Sequence, residues 1–448
     1  MNEDRIAAEL DRYATRLTGG TDDYDEIISM AKNARFVLIG EESHGTHEFY
    51  NIRAAITQRL ITELGFTAVA VEADWPDAYR INRYVRGDTT IDNAEDALSD
   101  FKRFPQWMWC NTEVRNFINW LYDYNHLTNS DVPQVGFYGL DLYSLNNSTE
   151  AVIRYLEKID PEAAKRAKNR YGCFDAYGND PQVYGYATAL GVDENCERKI
   201  IEQLRELQEN TFKYMQRDGA LAGEEFFSAE QNARVVADAE NYYRALFKGR
   251  PSSWNIRDTH MADTLDKLAE YLTKRHGKPA KIVVWAHNSH IGDASATDAG
   301  KRGETNIGQL TRERHAAETL LIGFSTYNGT VTASSDWDEP EEHKRVRNAL
   351  PGSVEELFHR VEVDNFLLDL RANTEVRKLL SEPRLQRFIG VIYRPDTERW
   401  SHYYNVTLPR EFDCIIHLDH TKALHPLTPG HLWKNVPYAA EETYPTGL

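Results

Sequence analysis

Histidines and carboxylates in this chain gather where apolar runs stop. Phe36-Val-Leu-Ile39 gives way after Gly40 to Glu41, Glu42, Ser43 and His44, with His47 and Glu48 just beyond. Ala68-Val-Ala-Val71 runs into Glu72 and Asp74, and Ile282-Val-Val-Trp285 into His287, Asn288 and His290. Two further runs end in Asp141 and in Ser325-Thr-Tyr327. Taken singly, each polar residue has a structural explanation: a strand-end Glu is commonly a helix N-cap or ion-pair partner, and His47 and Glu48 suit a solvated first helical turn. Jointly, charged groups at the ends of buried runs cost too much desolvation to be idle, and they mark a site.

A histidine beside a helix N-terminus stays neutral, while a neighbouring carboxylate orients its ring and raises its basicity. Such a pair suits a general base that activates water. His44 fits that role, with Glu41 or Glu72 as orienter. His287 and His290 could then polarise a carbonyl, protonate a leaving alkoxide or bind an oxyanion. Arg53, nine residues past His44, either reaches the same place from the following helix or faces solvent. Gly-x-Ser-x-Gly, P-loop, strand-following GxGxxG and HExxH motifs are absent, so nucleophile-elbow, phosphate-cradle and zincin chemistries have no motif support. The alternatives are a metal held by His44, Glu72, His287 and His290 from separate strands, and a non-catalytic binder of a small ligand.

The elements that must position these groups follow from periodicity. Strand-like runs fall at Phe36–Ile39, Thr67–Val71, Val135–Tyr138, Lys281–Trp285 and Leu320–Phe324, with helical stretches between those of the first half. Phe49, Ile52, Ile56 and Leu60 recur at helical steps and Gly65 follows as a C-terminal cap, so His44 sits in a strand-to-helix turn. Helical periodicity dominates from about 144 to 275, broken by a polar loop from Tyr171 to Gly185. Strands at Phe366–Leu370, Phe388–Tyr393 and Phe412–Leu418 complete the same sheet, because no flexible linker separates them. The expectation is a single α/β domain over residues 1–448: a mainly parallel central sheet flanked by helices, with an inserted all-helical lobe covering an active-site cleft. In such sheets ligands bind outside the carboxyl ends of the strands, where the polar clusters would converge.

Composition narrows the partners. Lysine and arginine number 52 against 70 acidic residues in 448, a formal charge of −18 that repels nucleic acid and anionic membranes. Cys110, Cys173, Cys196 and Cys414 lie far apart without a CxxC pair, which argues against a disulfide framework and for a reducing compartment. The chain starts without a signal-like segment and contains no membrane-length apolar run, so a cytoplasmic location is expected. Aromatic residues concentrate in Phe101-Lys-Arg-Phe-Pro-Gln-Trp-Met-Trp109 and near Trp75, and together they could line an apolar pocket. The oligomeric state is not encoded in any pattern found.

At these residues the sequence resembles the erythromycin esterase family. The matching stretches are Ile39-Gly-Glu-Glu-Ser-His44 with Glu48-Phe49 and Arg53, Gly65-Phe66 leading to Val71-Glu72, Gly139-Leu-Asp141, Arg257-Asp258 with Met261, Val284-Trp-Ala-His-Asn-Ser-His290, and Ile322-Gly-Phe-Ser-Thr-Tyr327. The resemblance implies hydrolysis of a carboxylic ester, in the best-known members a macrolide lactone, by histidine-activated water, with no required metal or other cofactor. It makes His44 the base and Glu41, Glu72, His287 and His290 the rest of the catalytic set. Ser43, Arg53, Asp74, Asp141 and Arg257 would bind or orient a small-molecule ester. Gly45-Thr46-His47, and the segment from Tyr393 to Tyr403, depart from the drug-inactivating members and point to a distinct branch.

Overall fold

The computed structural model describes residues 2–128, 132–177, 180–190, 196–217, 223–248 and 250–433. Eleven strands occur among them: β1 (Thr15–Arg16), β2 (Phe36–Ile39), β3 (Ala68–Asp74), β4 (Gly136–Asp141), β5 (Ile282–Trp285), β6 (Thr319–Ala333), β7 (Glu342–Val346), β8 (Asn365–Asp369), β9 (Arg384–Arg387), β10 (Tyr403–Val406) and β11 (Cys414–Thr421). Nine form one mixed sheet in the order β1-β8-β11-β6-β2-β5-β3-β4, with β7 pairing the extended end of β6. The six strands from β11 to β4 are mutually parallel; β1, β7 and β8 join antiparallel. The chain is therefore α/β with a mostly parallel central sheet flanked by helices.

β2 is apolar throughout because both of its faces are covered. Val37 and Ile39 enter one core with Phe49, Ile56 and Leu60 of the helix His47–Leu64. Phe36 and Leu38 enter the opposite core with Met261, Leu265, Leu268 and Leu272 of the helix Arg250–His276. Gly65 ends the first of these helices in the left-handed region at φ 69°, where a Cβ would be strained. Strand order reverses around β2. The chain passes from β2 to β3 and β4, returns to insert β5 between β2 and β3, then places β6 on the other side of β2. The carboxyl ends of β2, β3 and β5 thus meet at a topological switch point, the usual location of a ligand crevice.

Between Asp141 and Ile282 the described residues contain helices and no strand. Leu156, Ala167, Leu207, Val236 and Ala239 form a separate apolar core within this lobe. Three expectations need correction here. The segment Tyr171–Gly185 is not simply a loop: a 3-10 turn covers Gly172–Tyr177 and a helix starts at Pro181. Cys173 and Cys196 are joined in a disulfide that ties this turn to the start of the helix Glu197–Glu209, so the four cysteines are not all unpaired. Phe388–Tyr393 is not a strand of the sheet. The pairing falls one step earlier, where β9 and β10 make a separate antiparallel ribbon. Residues after β9 instead lie along the turn that follows β2: Ile389 N–H donates to Glu42 O at 2.8 Å, and His44 N–H donates to Ile389 O at 3.4 Å. Extended apolar backbone there satisfies the turn's own amide groups, which the sheet ladder cannot reach. Among the described residues, no helix is long and apolar enough to cross a membrane.

Candidate active site

A cavity of about 560 Å³ opens above the switch point. His44 reaches it from the turn after β2, Glu72 and Asp74 from the end of β3, Asp141 from β4, and His287 and His290 from the segment after β5. Arg257 and Trp254 come from the helix Arg250–His276. The aromatic stretch 101–109 forms a wall through Phe101, Phe104, Met108 and Trp109. Trp75 takes no part: it is fully buried, with Nε1 donating to Ser228 Oγ at 3.1 Å.

The turn after β2 builds one half of the site. His44 Nδ1 lies 2.8 Å from Glu41 Oε1, and Glu41 Oε2 lies 2.9 Å from Arg53 Nη2, with Glu41 and Arg53 inaccessible to solvent. The Arg53 guanidinium packs over the rings of Tyr50 at 4.3 Å and Trp285 at 5.1 Å. With His44 Nδ1–H donating to the Glu41 carboxylate, Nε2 is the ring's lone-pair atom. Arg53 is therefore inside, behind the orienting carboxylate, and does not touch the cavity. Ser43 does not touch it either, because its hydroxyl bonds Thr46 Oγ1. His47, the other imidazole of the cluster, pairs with Glu113 at 2.5 Å on a partly exposed flank.

The other half is an ionic lattice. Arg257 Nε donates to Asp141 Oδ1 at 3.0 Å, and its Nη2 donates to Asp141 Oδ2 at 2.6 Å and to Glu72 Oε1 at 2.7 Å. His290 Nδ1 sits 2.9 and 3.0 Å from the two oxygens of Asp258, while its Nε2 is 3.1 Å from Arg257 Nη1 and 3.3 Å from Glu72 Oε1. Trp254 stacks on the His290 ring at 4.5 Å between centroids. Burial opposes protonation of His290, but Asp258 and Glu72 outweigh it and push its pKa up to about 9. Burial likewise opposes ionisation of Glu72, yet His290 and Arg257 hold it well below the carboxylate range. Asp141 is held down by Arg257 against the same burial cost. Asp74 keeps a raised pKa from burial, although Arg103 donates to its Oδ2 at 3.1 and 2.8 Å.

His287 stands between the halves, its ring 4.8 Å from that of His44. Nε2 donates to Glu42 O at 3.0 Å and Ile389 O at 3.1 Å, and Nδ1 accepts from the Ser289 hydroxyl at 2.8 Å. Its backbone N–H donates to Glu72 Oε2 at 2.9 Å. Burial and the neighbouring His44 drive its pKa down to about 3, so it is a neutral strut with both ring nitrogens occupied. Among the described residues no three His, Cys, Asp or Glu side chains are arranged to hold a metal ion. The donor sets explain this: His287 Nε2 carries a proton and His290 Nδ1 faces Asp258.

Of the residues singled out in the sequence, the structure brings His44, Glu72, Asp74, Asp141, Arg257, His287 and His290 around one cavity and sets Glu41 and Arg53 behind it. Sequence reading did not single out Asp258 as a partner of His290, nor Trp254, Arg103 or the buried pair Glu42–Arg387 at 3.2 Å. Trp254 had a signal, lying three residues before Arg257 and hence on the same helical face.

Fold and site together define an α/β protein with a buried histidine–carboxylate pair facing an ionic lattice across a switch-point cleft. The chain belongs to the erythromycin esterase family, a family of hydrolases: the family's model, described as erythromycin esterase, matches residues 61–421. Erythromycin esterase type II of Escherichia coli is 23% identical over 405 residues, covering 86% of this chain and 92% of that protein. The putative hydrolase YbfO of Bacillus subtilis (strain 168) is 23% identical over 417 residues, covering 87% and 84%. Among solved structures, a succinoglycan biosynthesis protein superposes with a TM-score of 0.76 at 23% identity, covering 95% of this chain and 99% of that one. A mutant of the erythromycin esterase EreC in its open conformation gives 0.63 at 15% identity, covering 92% and 96%. These structures share the fold.

Proposed function

We propose that the chain hydrolyses a carboxylic ester or lactone by direct attack of water, without a covalent intermediate and without a required metal. The observation that carries this reading is the arrangement of His44: Nδ1 is fixed on Glu41, and Nε2 is left on a cavity that also holds Arg257 and His290. In the proposed reaction His44 Nε2 removes a proton from water as the hydroxide oxygen bonds to the ester carbonyl carbon. Glu41, itself paired with Arg53, stabilises the imidazolium that forms. The carbonyl oxygen becomes an oxyanion facing Arg257, whose Nη1 carries two N–H groups and has His290 Nε2, at 3.1 Å, as its one hydrogen-bond partner among the described residues, and the positive charge of His290 itself. Collapse breaks the bond to the alkoxy oxygen, which takes the proton back from His44. The products are the carboxylic acid and the alcohol.

Glu72, Asp141 and Asp258 would hold Arg257 and His290 in place, and His287 would fix the turn that carries His44. The aromatic wall supports an apolar substrate body, and the low identity to the relatives leaves the particular ester open to assay. Replacing His44 by alanine is expected to lower kcat on activated aryl esters by at least about 10³-fold while leaving the circular dichroism spectrum and melting temperature near those of the parent. A variant that keeps a tenth or more of the parent kcat would overturn this assignment.

A further inference from the structure

We propose that Trp254 is a positioning residue whose indole face holds the His290 ring flat against it and keeps that ring protonated, so that a cation stands ready beside the cavity. The proposal deepens the hydrolase reading and rests on it only for the use made of the charge, the binding of an oxyanion. Trp254 lies near the start of the helix Arg250–His276 and borders the cavity together with Arg257 and His290.

The geometry is that of two parallel plates. Ring centroids are 4.5 Å apart and the planes are inclined by 7°. Asp258, one helical turn beyond Trp254 and so on the same face, meets the edge of the imidazole at Nδ1, at 2.9 and 3.0 Å. One helix therefore fixes both the plane of the ring and its rotation within that plane. The indole is itself fixed: its Nε1 donates to Thr305 O at 2.9 Å, while the neighbouring Asn255 accepts from Thr305 N at 2.8 Å and donates through Nδ2 to Gly303 O at 2.9 Å.

The charged and titratable groups around His290 are Asp258 and Arg257 from that helix, Glu72 from β3 and His287 from its own segment. Asp141 and the Tyr143 ring stand behind Arg257, and Glu304 and Glu411 line a small cavity that Trp254 and Ser289 also border. Burial opposes the charge, and so does Arg257, whose Nη1 is 3.1 Å from Nε2; Asp258 and Glu72 favour it. Neither carboxylate is given to His290 alone. Glu72 also accepts from Arg257 and from the His287 backbone, and Asp258 also accepts from Ile307 N–H at 3.0 Å. The face of the ring is the place left for a further favourable contact. A π-cloud there attracts a cation, and it does so more strongly where water is excluded; His290 is 3% exposed.

The ordinary explanation is that the indole merely ties its helix to the loop at 303–305, and the two accounts part on substitution. In Trp254→Leu the apolar bulk stays and the π-face goes; in Trp254→Phe a weaker π-face remains. The full chain, labelled with ¹³C-histidine, is titrated by NMR, the His290 resonance being assigned by its loss in His290→Gln. The midpoint of His290 should fall by about one pH unit in Trp254→Leu and by about half as much in Trp254→Phe. The alkaline limb of kcat/KM on an activated aryl ester should move down with it. A leucine variant that unfolds at lower urea yet titrates at the parent midpoint would overturn the proposal, and if that variant does not fold, a parent-like midpoint in Trp254→Phe overturns it equally. A lowered midpoint in a protein whose parent form turns over no ester would refute the hydrolase reading and leave the assignment of Trp254 standing.

Discussion

Glu41→Gln should separate orientation of the base from stability of the fold. Glu41 serves two groups at once, His44 Nδ1 through a hydrogen bond of 2.8 Å and Arg53 Nη2 as an ion pair at 2.9 Å. A glutamine offers one carbonyl oxygen and one NH₂. If the oxygen faces Arg53, the NH₂ faces His44 Nδ1, which must then accept; the proton moves to Nε2 and the base is lost. If the oxygen faces His44, the amide NH₂ abuts a buried guanidinium. Either way the cation loses the only carboxylate in ion-pair contact with it among the described residues. Removing one member of a buried pair costs about 3–5 kcal/mol. An analogous carboxylate-to-amide exchange behind a catalytic histidine lowers kcat by about 10⁴ through the wrong tautomer. The variant is therefore expected to lose about 10³–10⁴-fold in kcat on an aryl ester, and to unfold at clearly lower urea. Adding Arg53→Met removes the stranded cation and should recover most of the stability and none of the kcat. A Glu41→Gln enzyme within threefold of the parent kcat, or a double variant no more stable than the single one, would refute the reasoning.

Two further outcomes follow from the same geometry. His290 has a folded pKa of about 9, above the ordinary histidine value, so its contribution is fully present below about pH 6.5 and fades as pH rises through 9, by at most about 3 kcal/mol. Asp258→Asn should flatten that decline in urea midpoints between pH 6.5 and 9; Asp77 titrates in the same window but is common to both proteins, and identical slopes would count against the pairing. Gly45, whose carbonyl accepts from Thr332 N at 3.0 Å and Leu424 N at 2.9 Å, has no room for a side chain, because a Cβ would run into the Thr332 backbone. Gly45→Ala should cost about 1–3 kcal/mol in urea unfolding and lower kcat by displacing His44, whereas an unchanged midpoint would show that the turn relaxes freely.

Much of this architecture could be read from periodicity, and the exceptions have physical causes. Phe36–Ile39 reads as a doubly covered strand because four apolar residues in a row suit only a strand with helices on both sides. Phe388–Tyr393 reads the same way and is not a sheet strand, since apolar extended backbone pairs equally well with a turn when that turn has free amide groups. Cys173 and Cys196, 23 positions apart, follow no motif, so their bond depends on how the lobe folds.

The site divides along the same line. His44 and Glu41 are three residues apart in one turn, and such a local pair is legible once the turn is recognised. The choice between Glu41 and Glu72 was not legible, because it depends on what else each carboxylate must satisfy. Glu72 accepts from the His287 backbone with one oxygen and from Arg257 with the other, which turns it toward His290, while His44 Nδ1 meets Glu41. Asp258 was hidden for a related reason: its role depends on the register that places the helix Arg250–His276 against the end of β5, which no residue spacing encodes. The two arginines express the division. Arg53 holds Glu41 beside His44, and Arg257 holds Glu72 and Asp141 on the side of His290. Separate counter-ions let a buried carboxylate on each side of one cavity serve its own imidazole, Glu41 against His44 and Glu72 beside His290.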